Sequence, residues 1–221
     1  MRARAEETIT LSTEHGFPYF SLESAVLKGW TQAQQGQTEV GIVQMCQGMN
    51  ALQDMGIEST RPYHLALLAE VYGEIGQAAE GLTLLAEALA QVDKTGERFY
   101  EAELYRLKGQ LTLQSKVPRS RRVGNAHQPV SIAEAVPVGR THPTEESEAE
   151  ECFLKAIDIA RKQQAKSFEL RASTSLARLW QQQAKQAEAH KLLSEVYNWF
   201  TEGFDTKDLR EARTLIEELS D

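Results

Sequence analysis

The sequence predicts an all-α protein, a solenoid of antiparallel helix pairs with about ten helices. Helix-favouring Ala, Leu, Glu and Gln dominate, while aromatic residues make up 7% of the chain, a composition typical of helices. Four of the six prolines fall between residues 118 and 143, which leaves long stretches without this helix breaker. Glycines recur at an offset of 40 residues, as in Gly36 and Gly76, and such self-similarity indicates a repeat protein.

The repeat can be followed through two series of small residues. Each member of the second series is followed four places later by a large apolar residue, as in Met45 and Phe153. This spacing keeps one helix face in register and lets neighbouring helices approach closely. The series are Gly29, Ala69, Gly109 and Ala177, and Gly41, Gly81, Ala149 and Ala189.

Each unit therefore contains two helices. Gly36-Gln37 and Gly76-Gln77 form the turn inside a pair, and Gly56 and Gly96 close the second helices as left-handed C-caps. In chain order we predict one repeat domain over 1–221, made of a half repeat at 2–15, pairs at 20–56, 61–96, 99–164 and 167–202, and a capping helix at 206–219.

The capping helix carries one apolar stripe and covers the end of the stack, as terminal repeats of solenoids do. Asp205 or Thr206 is the predicted N-cap. A cap at one end only suggests that the chain is a fragment of something longer. The stripe consists of Leu209, Ala212, Leu215, Ile216 and Leu219.

The third pair contains an insertion, because the step between repeats lengthens there from 40 to 68 residues. The proline cluster lies in this interval and no apolar period survives, so we predict a disordered loop within 115–147. A basic run at 116–122 is either a docking segment for an acidic partner or a solvated, tolerated insertion.

Charge and cysteine content exclude several classes of function. A net charge of −8 and a pI near 5.3 disfavour binding to nucleic acid or anionic membranes. Cys46 and Cys152 lie in apolar helical patterns, which predicts reduced, buried thiols and a cytoplasmic protein. No apolar stretch has a length sufficient to span a bilayer, and the N-terminus lacks a signal-peptide core.

No catalytic, cofactor or metal site is predicted. The glycines form no phosphate-binding loop, and the five histidines form no cluster with cysteine. Adjacent carboxylates such as Glu217 and Glu218 point in different directions on a helix, so they do not make an acid/base pair. The sequence therefore predicts a protein that is not an enzyme.

The small-residue spacing and the pattern Ala-x-x-x-(large)-x-x-Ala resemble the tetratricopeptide (TPR) family. The unit here is about six residues longer than the family's 34. The family's first helix is expected to carry a bulky aromatic residue, and Trp30, Tyr72 and Trp180 lie near that position. In the third pair the equivalent residue is Thr112, so the aromatics are present only in part. The resemblance implies a right-handed superhelix whose first helices line a concave face.

Carried onto this chain, that geometry predicts a groove with an acidic end and a basic end, suited to an extended peptide of mixed charge. The alternative is that these residues are ordinary solvated faces. The family's Lys and Asn clamp for a terminal carboxylate is not recognisable. The predicted partner-binding residues are Glu23, Trp30, Tyr63, Glu70, Glu74, Glu103, Arg106, Gln110, Arg171, Arg178 and Gln182.

Several phrases also resemble the C-terminal TPR-like region of bacterial adenylate/guanylate cyclase or predicted-ATPase signalling proteins. They lie at 29–37, 61–63, 67–73, 160–167, 176–183 and 199–209. The resemblance implies a protein- or peptide-binding scaffold that serves as a regulatory or sensor tail and contacts upstream catalytic domains. Two alternatives stay open: part of a polypeptide whose cyclase or ATPase activity lies in upstream domains, and a small-ligand sensor.

Overall fold

The computed structural model describes residues 2–115 and 144–220, and within these ranges the chain is helical with short connections and no strand. The prediction of an all-α array of about ten helices is confirmed. The helices are α1 (Arg2–Glu14), α2 (Pro18–Gln34), α3 (Thr38–Asp54), α4 (Arg61–Glu74), α5 (Ala78–Thr95), α6 (Glu101–Ser115), α7 (Glu145–Lys162), α8 (Lys166–Gln182), α9 (Gln186–Tyr197) and α10 (Lys207–Ser220).

Left-handed residues end the helices where the repeat predicts them. Gly36 and Gly76 have φ of 88° and 74°, and Gly56 and Gly96 have φ of 75° and 76°. This region of φ suits glycine because it has no Cβ. After Gly36, the Gln37 N–H donates to the Gln32 carbonyl at 3.0 Å, which satisfies a carbonyl at the helix end.

Two turns keep this conformation without glycine. Gln164 corresponds to Gly56, and Ala184 corresponds to Gly36, yet their φ values are 55° and 59°. A non-glycine residue is disfavoured in this region, so the C-terminal pairs hold the same turns at some cost in stability.

The two small-residue series meet where the helices of a pair cross. A Cβ added to Gly29 would lie 2.7 Å from the Gly41 carbonyl oxygen and 2.9 Å from the Met45 nitrogen. At the α2–α3 crossing the two helices therefore contact each other through backbone atoms, with no side chain between Gly29 and Gly41. In the fourth pair the corresponding residues, Ala177 and Ala189, are fully buried alanines.

The first helices of successive pairs form a continuous inner row. Helix α2 contacts α4, α4 contacts α6, α6 contacts α8, and α8 contacts α10, while each also packs against the second helix of its own pair. On each of α2, α4, α6 and α8, some side chains point away from the second helix of the same pair. These side chains therefore lie on one shared face of the array.

Helix α10 packs on α8 and α9. Its Leu209, Ala212, Leu215 and Leu219 are buried beside Leu170, Ala177 and Leu193, and Ile216 is partly buried. Thr206 precedes the helix, but its hydroxyl donates to the Gly203 carbonyl at 2.7 Å. A usual N-cap side chain would instead accept a hydrogen bond from a backbone N–H in the first turn of the helix. A side-chain cap is present at α7, where the Ser147 N–H donates to Thr144 Oγ1 at 3.3 Å.

The predicted disordered interval is bounded by helix at both ends. Helix α6 continues to Ser115, and α7 already begins at Glu145. Residues 116–143, with their basic run, lie outside the described part of the chain.

Cys46 and Cys152 are free thiols, and both are half-buried where full burial was expected. Burial raises the pKa of each thiol. Across residues 2–115 and 144–220, every helix is too short or too polar to cross a membrane.

Candidate partner-binding groove

The eleven residues that the TPR-type geometry predicts to bind a partner all belong to α2, α4, α6 and α8; we call the face of these helices on which they are predicted to lie the inner groove. Five of them, on α4, α6 and α8, line a single cleft of about 230 Å³. These are Glu70, Arg106, Gln110, Arg171 and Arg178.

The cleft also includes residues that the sequence analysis did not select. Ser175 lies one turn beyond Arg171 on α8 and could have been found from helical periodicity. Lys207, Asp208 and Glu211 come from α10. We did not predict these three residues from the sequence, because we expected α10 only to cover the exposed end of the stack.

At the centre of the inner groove, Glu103 joins two arginines. Its carboxylate receives two hydrogen bonds from the Arg106 guanidinium, at 2.6 and 2.8 Å, and lies 2.8 Å from Arg171 Nη2. Glu103 and Arg106 are 1% and 5% exposed. Because breaking a buried ion pair leaves an uncompensated charge, this cluster fixes α6 against α8 and offers little surface to a partner.

The remaining cations of the cleft face carboxylates of α10. Arg178 Nη2 lies 3.3 Å from Glu211, and Lys207 Nζ lies 3.8 Å from the same carboxylate. Arg171 Nε also lies 3.9 Å from Asp208. The end of the groove that was predicted to be basic therefore carries its own counter-charges.

Towards the α2–α4 end of the inner groove, two carboxylates are held by neutral donors, and one of them, Glu70, also lines the cleft. The Trp30 indole N–H donates to Glu70 at 3.2 Å, and the Gln34 amide donates to both oxygens of Glu74 at 2.8 and 2.7 Å. Burial raises the pKa of Glu70, although the Trp30 hydrogen bond and the charges of Arg106 and Arg171 act in the other direction.

Glu23 forms a third link between α2 and α4. His64 Nε2, on a side chain 1% exposed, lies 2.9 Å from its carboxylate. Burial alone would raise the pKa of Glu23, but hydrogen bonding and charge from His64 outweigh it, so the pKa is lowered. The three links Glu23–His64, Trp30–Glu70 and Gln34–Glu74 join residues 40 or 41 positions apart.

Tyr63 belongs to a row of rings at the start of the inner helices. Its ring centroid lies 4.9 Å from that of Tyr100, which lies 5.5 Å from Phe168, both in edge-to-face arrangements. Burial raises the pKa of Tyr100, so the phenol stays neutral. Gln182 is exposed at the end of α8.

A second cleft, of about 720 Å³, lies away from the inner groove between α2 and α3. Leu22, Val40 and Val43 line it, and both valines are more than half exposed. The next repeat has Glu80 and Thr83 in place of the valines, so the patch is specific to the first pair. We did not predict this patch from the sequence.

In the part of the chain that the structure describes, no three His, Cys, Asp or Glu side chains group together so as to hold a metal ion. Several polar groups of the inner groove are instead paired with one another, across neighbouring helices or within one helix.

Comparison with known proteins agrees with the fold and leaves the function open. No family model matches the chain. An uncharacterized protein of Rhizobium meliloti is 23% identical over 121 residues, which are 55% of this chain and 12% of that protein. The chain thus matches a small part of a much longer relative.

Among solved structures, the chain is similar to a kinesin light chain of Podosopora anserina with nearly identical TPR-like repeats. The TM-score is 0.58 at 17% identity, and the match covers 92% of this chain and 94% of that one. At this identity the likeness concerns the fold alone. With the ten helices described above, it shows that the chain has a TPR-like helix-pair solenoid fold.

Proposed function

We propose that the protein is a non-catalytic scaffold that binds a protein or peptide segment in the inner groove. The observation that carries this proposal is the row of polar and aromatic side chains running across successive inner helices, with a polar cleft between α4, α6, α8 and α10. An extended segment of a partner fits such an open, elongated surface better than a compact substrate does.

The proposal extends to a regulatory or sensor tail in a larger bacterial signalling protein. It draws on the phrases shared with cyclase- and ATPase-associated regions and on the much greater length of the Rhizobium meliloti relative. In this arrangement the groove receives a segment of an upstream catalytic domain, and any cyclase or ATPase activity belongs to that domain.

A small-ligand sensor is the second candidate. It would use the cleft at Arg106, Arg171 and Arg178, where Thr174 and Ser175 add hydroxyl groups. Because the cleft is polar and its cations are already paired, a small ligand has to displace internal ion pairs. A peptide can bind across the groove without doing so, which favours the scaffold.

Site-specific photocrosslinking tests the scaffold proposal. A photoreactive amino acid at Gln110 or Gln182 samples the inner groove, and the same amino acid at exposed Glu80 of α5 is the control. Partners identified by mass spectrometry from the groove positions, and then shown to bind as purified proteins, are the expected result. Equal crosslinking from Glu80 would refute groove binding. ATP hydrolysis or cyclic-nucleotide formation by this chain alone would refute the absence of catalysis.

A further inference from the structure

The two ends of the inner groove differ in how their charges are compensated. At the α6–α8–α10 end, each of the four cations that line the cleft lies close to a carboxylate. The shortest distances are 2.6 Å for Arg106, 2.8 Å for Arg171, 3.3 Å for Arg178 and 3.8 Å for Lys207. An acidic partner gains little here, because it would have to compete with Glu103, Asp208 and Glu211 for the same donors.

At the α2–α4 end, Glu23 is paired with His64 at 2.9 Å, but two other carboxylates have no such direct pairing in the described part of the chain. Glu70 and Glu74 accept hydrogen bonds from Trp30 and Gln34, which are neutral, and within the described residues neither forms an ion pair. Arg106 and Arg171 act on Glu70 only through longer-range attraction, since both are bound to Glu103. Within the described residues this end therefore carries two carboxylates, Glu70 and Glu74, that are held by neutral donors and not by a direct ion pair.

Apolar and aromatic surface accompanies these carboxylates. Trp30 and Tyr63 are partly buried there, so part of each ring stays exposed beside the carboxylates. Long basic side chains place their methylene stems on apolar surface and their charged ends at carboxylates. An indole beside the carboxylates can also attract a cation.

We propose that the α2–α4 end of the inner groove binds a basic, extended peptide segment, whose Lys or Arg side chains reach Glu70 and Glu74. The inference rests on the proposed function and replaces a mixed-charge partner with a basic one. The two carboxylates lie four residues apart on α4, about 6 Å along the axis. Alternate side chains of an extended chain are about 6.6 Å apart, so basic residues at every second position match both carboxylates where the segment runs along α4.

The test uses three fluorescent peptides of about ten residues, long enough to span roughly 33 Å when extended. They alternate alanine with lysine, glutamine or glutamate, and their affinities are measured by fluorescence anisotropy at low and at high ionic strength. We expect the lysine peptide to bind about tenfold more tightly than the glutamine peptide, and the glutamate peptide to bind most weakly. Added salt should reduce the difference.

Matched variants separate a local effect from the net negative charge of the chain. Glu70→Gln with Glu74→Gln should weaken binding of the lysine peptide about tenfold, because both charged contacts are lost. The control variant, Glu80→Gln with Glu188→Gln, removes the same charge from exposed positions on α5 and α9. It should change the affinity for the lysine peptide less than about twofold. Glu74→Gln alone, at an exposed site, tests the effect without altering a half-buried residue.

Equal losses in the two double variants would overturn the proposal, since general charge would then explain binding. Failure of all three peptides to bind would also overturn it. If the glutamate peptide bound most tightly and Arg178→Gln abolished that binding, the basic preference would be wrong while the groove remained a binding site. The photocrosslinking experiment tests the groove independently of peptide charge.

Discussion

The α2–α3 crossing gives the sharpest test of how the repeat is packed. Gly41 contacts the Gly29 carbonyl oxygen so closely that an added Cβ would overlap it, and the same Cβ would lie 2.7 Å from the Ala33 nitrogen. These obstacles are backbone atoms, which cannot move aside by changing a rotamer. Gly41→Ala therefore forces the two helices apart.

Two effects of opposite sign decide the size of the change. Alanine is favoured over glycine inside a helix by about 1 kcal/mol. Overpacking a tight contact costs about 1–3 kcal/mol, and a backbone obstacle places this site at the upper end. We expect a net loss of about 1–2 kcal/mol, or roughly 5 °C in Tm for a chain of this size.

Urea unfolding followed by circular dichroism measures this change, with Ala86→Gly as the control. Ala86 is exposed in the middle of α5, so its substitution reports helix propensity alone, a loss of about 1 kcal/mol. Gly29→Ala should lower the free energy of unfolding less in the Gly41→Ala protein than in the unmodified chain, because Gly41→Ala has already forced the crossing open. A Gly41→Ala protein more stable than the unmodified chain would refute the reasoning.

Three further predictions concern other parts of the array. Ala184→Gly should stabilise the chain by about 1 kcal/mol in the same unfolding assay, because φ is 59° there; no gain would mean that the turn relaxes without strain. Burial alone would raise the pKa of Glu169, but hydrogen bonds from Arg161 and Lys166 outweigh it and lower the pKa. The contribution of Glu169 to the free energy of unfolding is therefore fully present above the unfolded-state pKa of about 4.5, and it is lost as the pH falls through the lower folded-state pKa. Glu169→Gln should cost about 1 kcal/mol at neutral pH and nothing in acid, and an equal cost at both would contradict this. If 116–143 is the loop that the sequence predicts, replacing it with a short Gly-containing turn should stabilise the α6–α7 pair by up to about 2 kcal/mol through a lower entropic cost of loop closure, measured as a higher Tm. A large loss of stability would contradict that prediction.

The inner groove illustrates the limits of prediction from sequence. The repeat register placed Glu70, Arg106, Gln110, Arg171 and Arg178 on one surface, and the structure gathers them in one cleft. It did not identify how those charges are paired. Pairing depends on which side chains of different helices come within 4 Å, and helical periodicity carries no information about such distances.

The sequence by itself determined the periodic features: the helix pairs, their glycine turns and the small residues at the crossings. These follow from backbone sterics and a fixed number of residues per turn, both local properties of the chain. Only the tertiary structure decided that α10 supplies counter-charges to Arg171 and Arg178, and that Glu70 and Glu74 are left with neutral donors. Electrostatic compensation is settled by distances across packed helices, so the charge character of the groove is a property of the folded array.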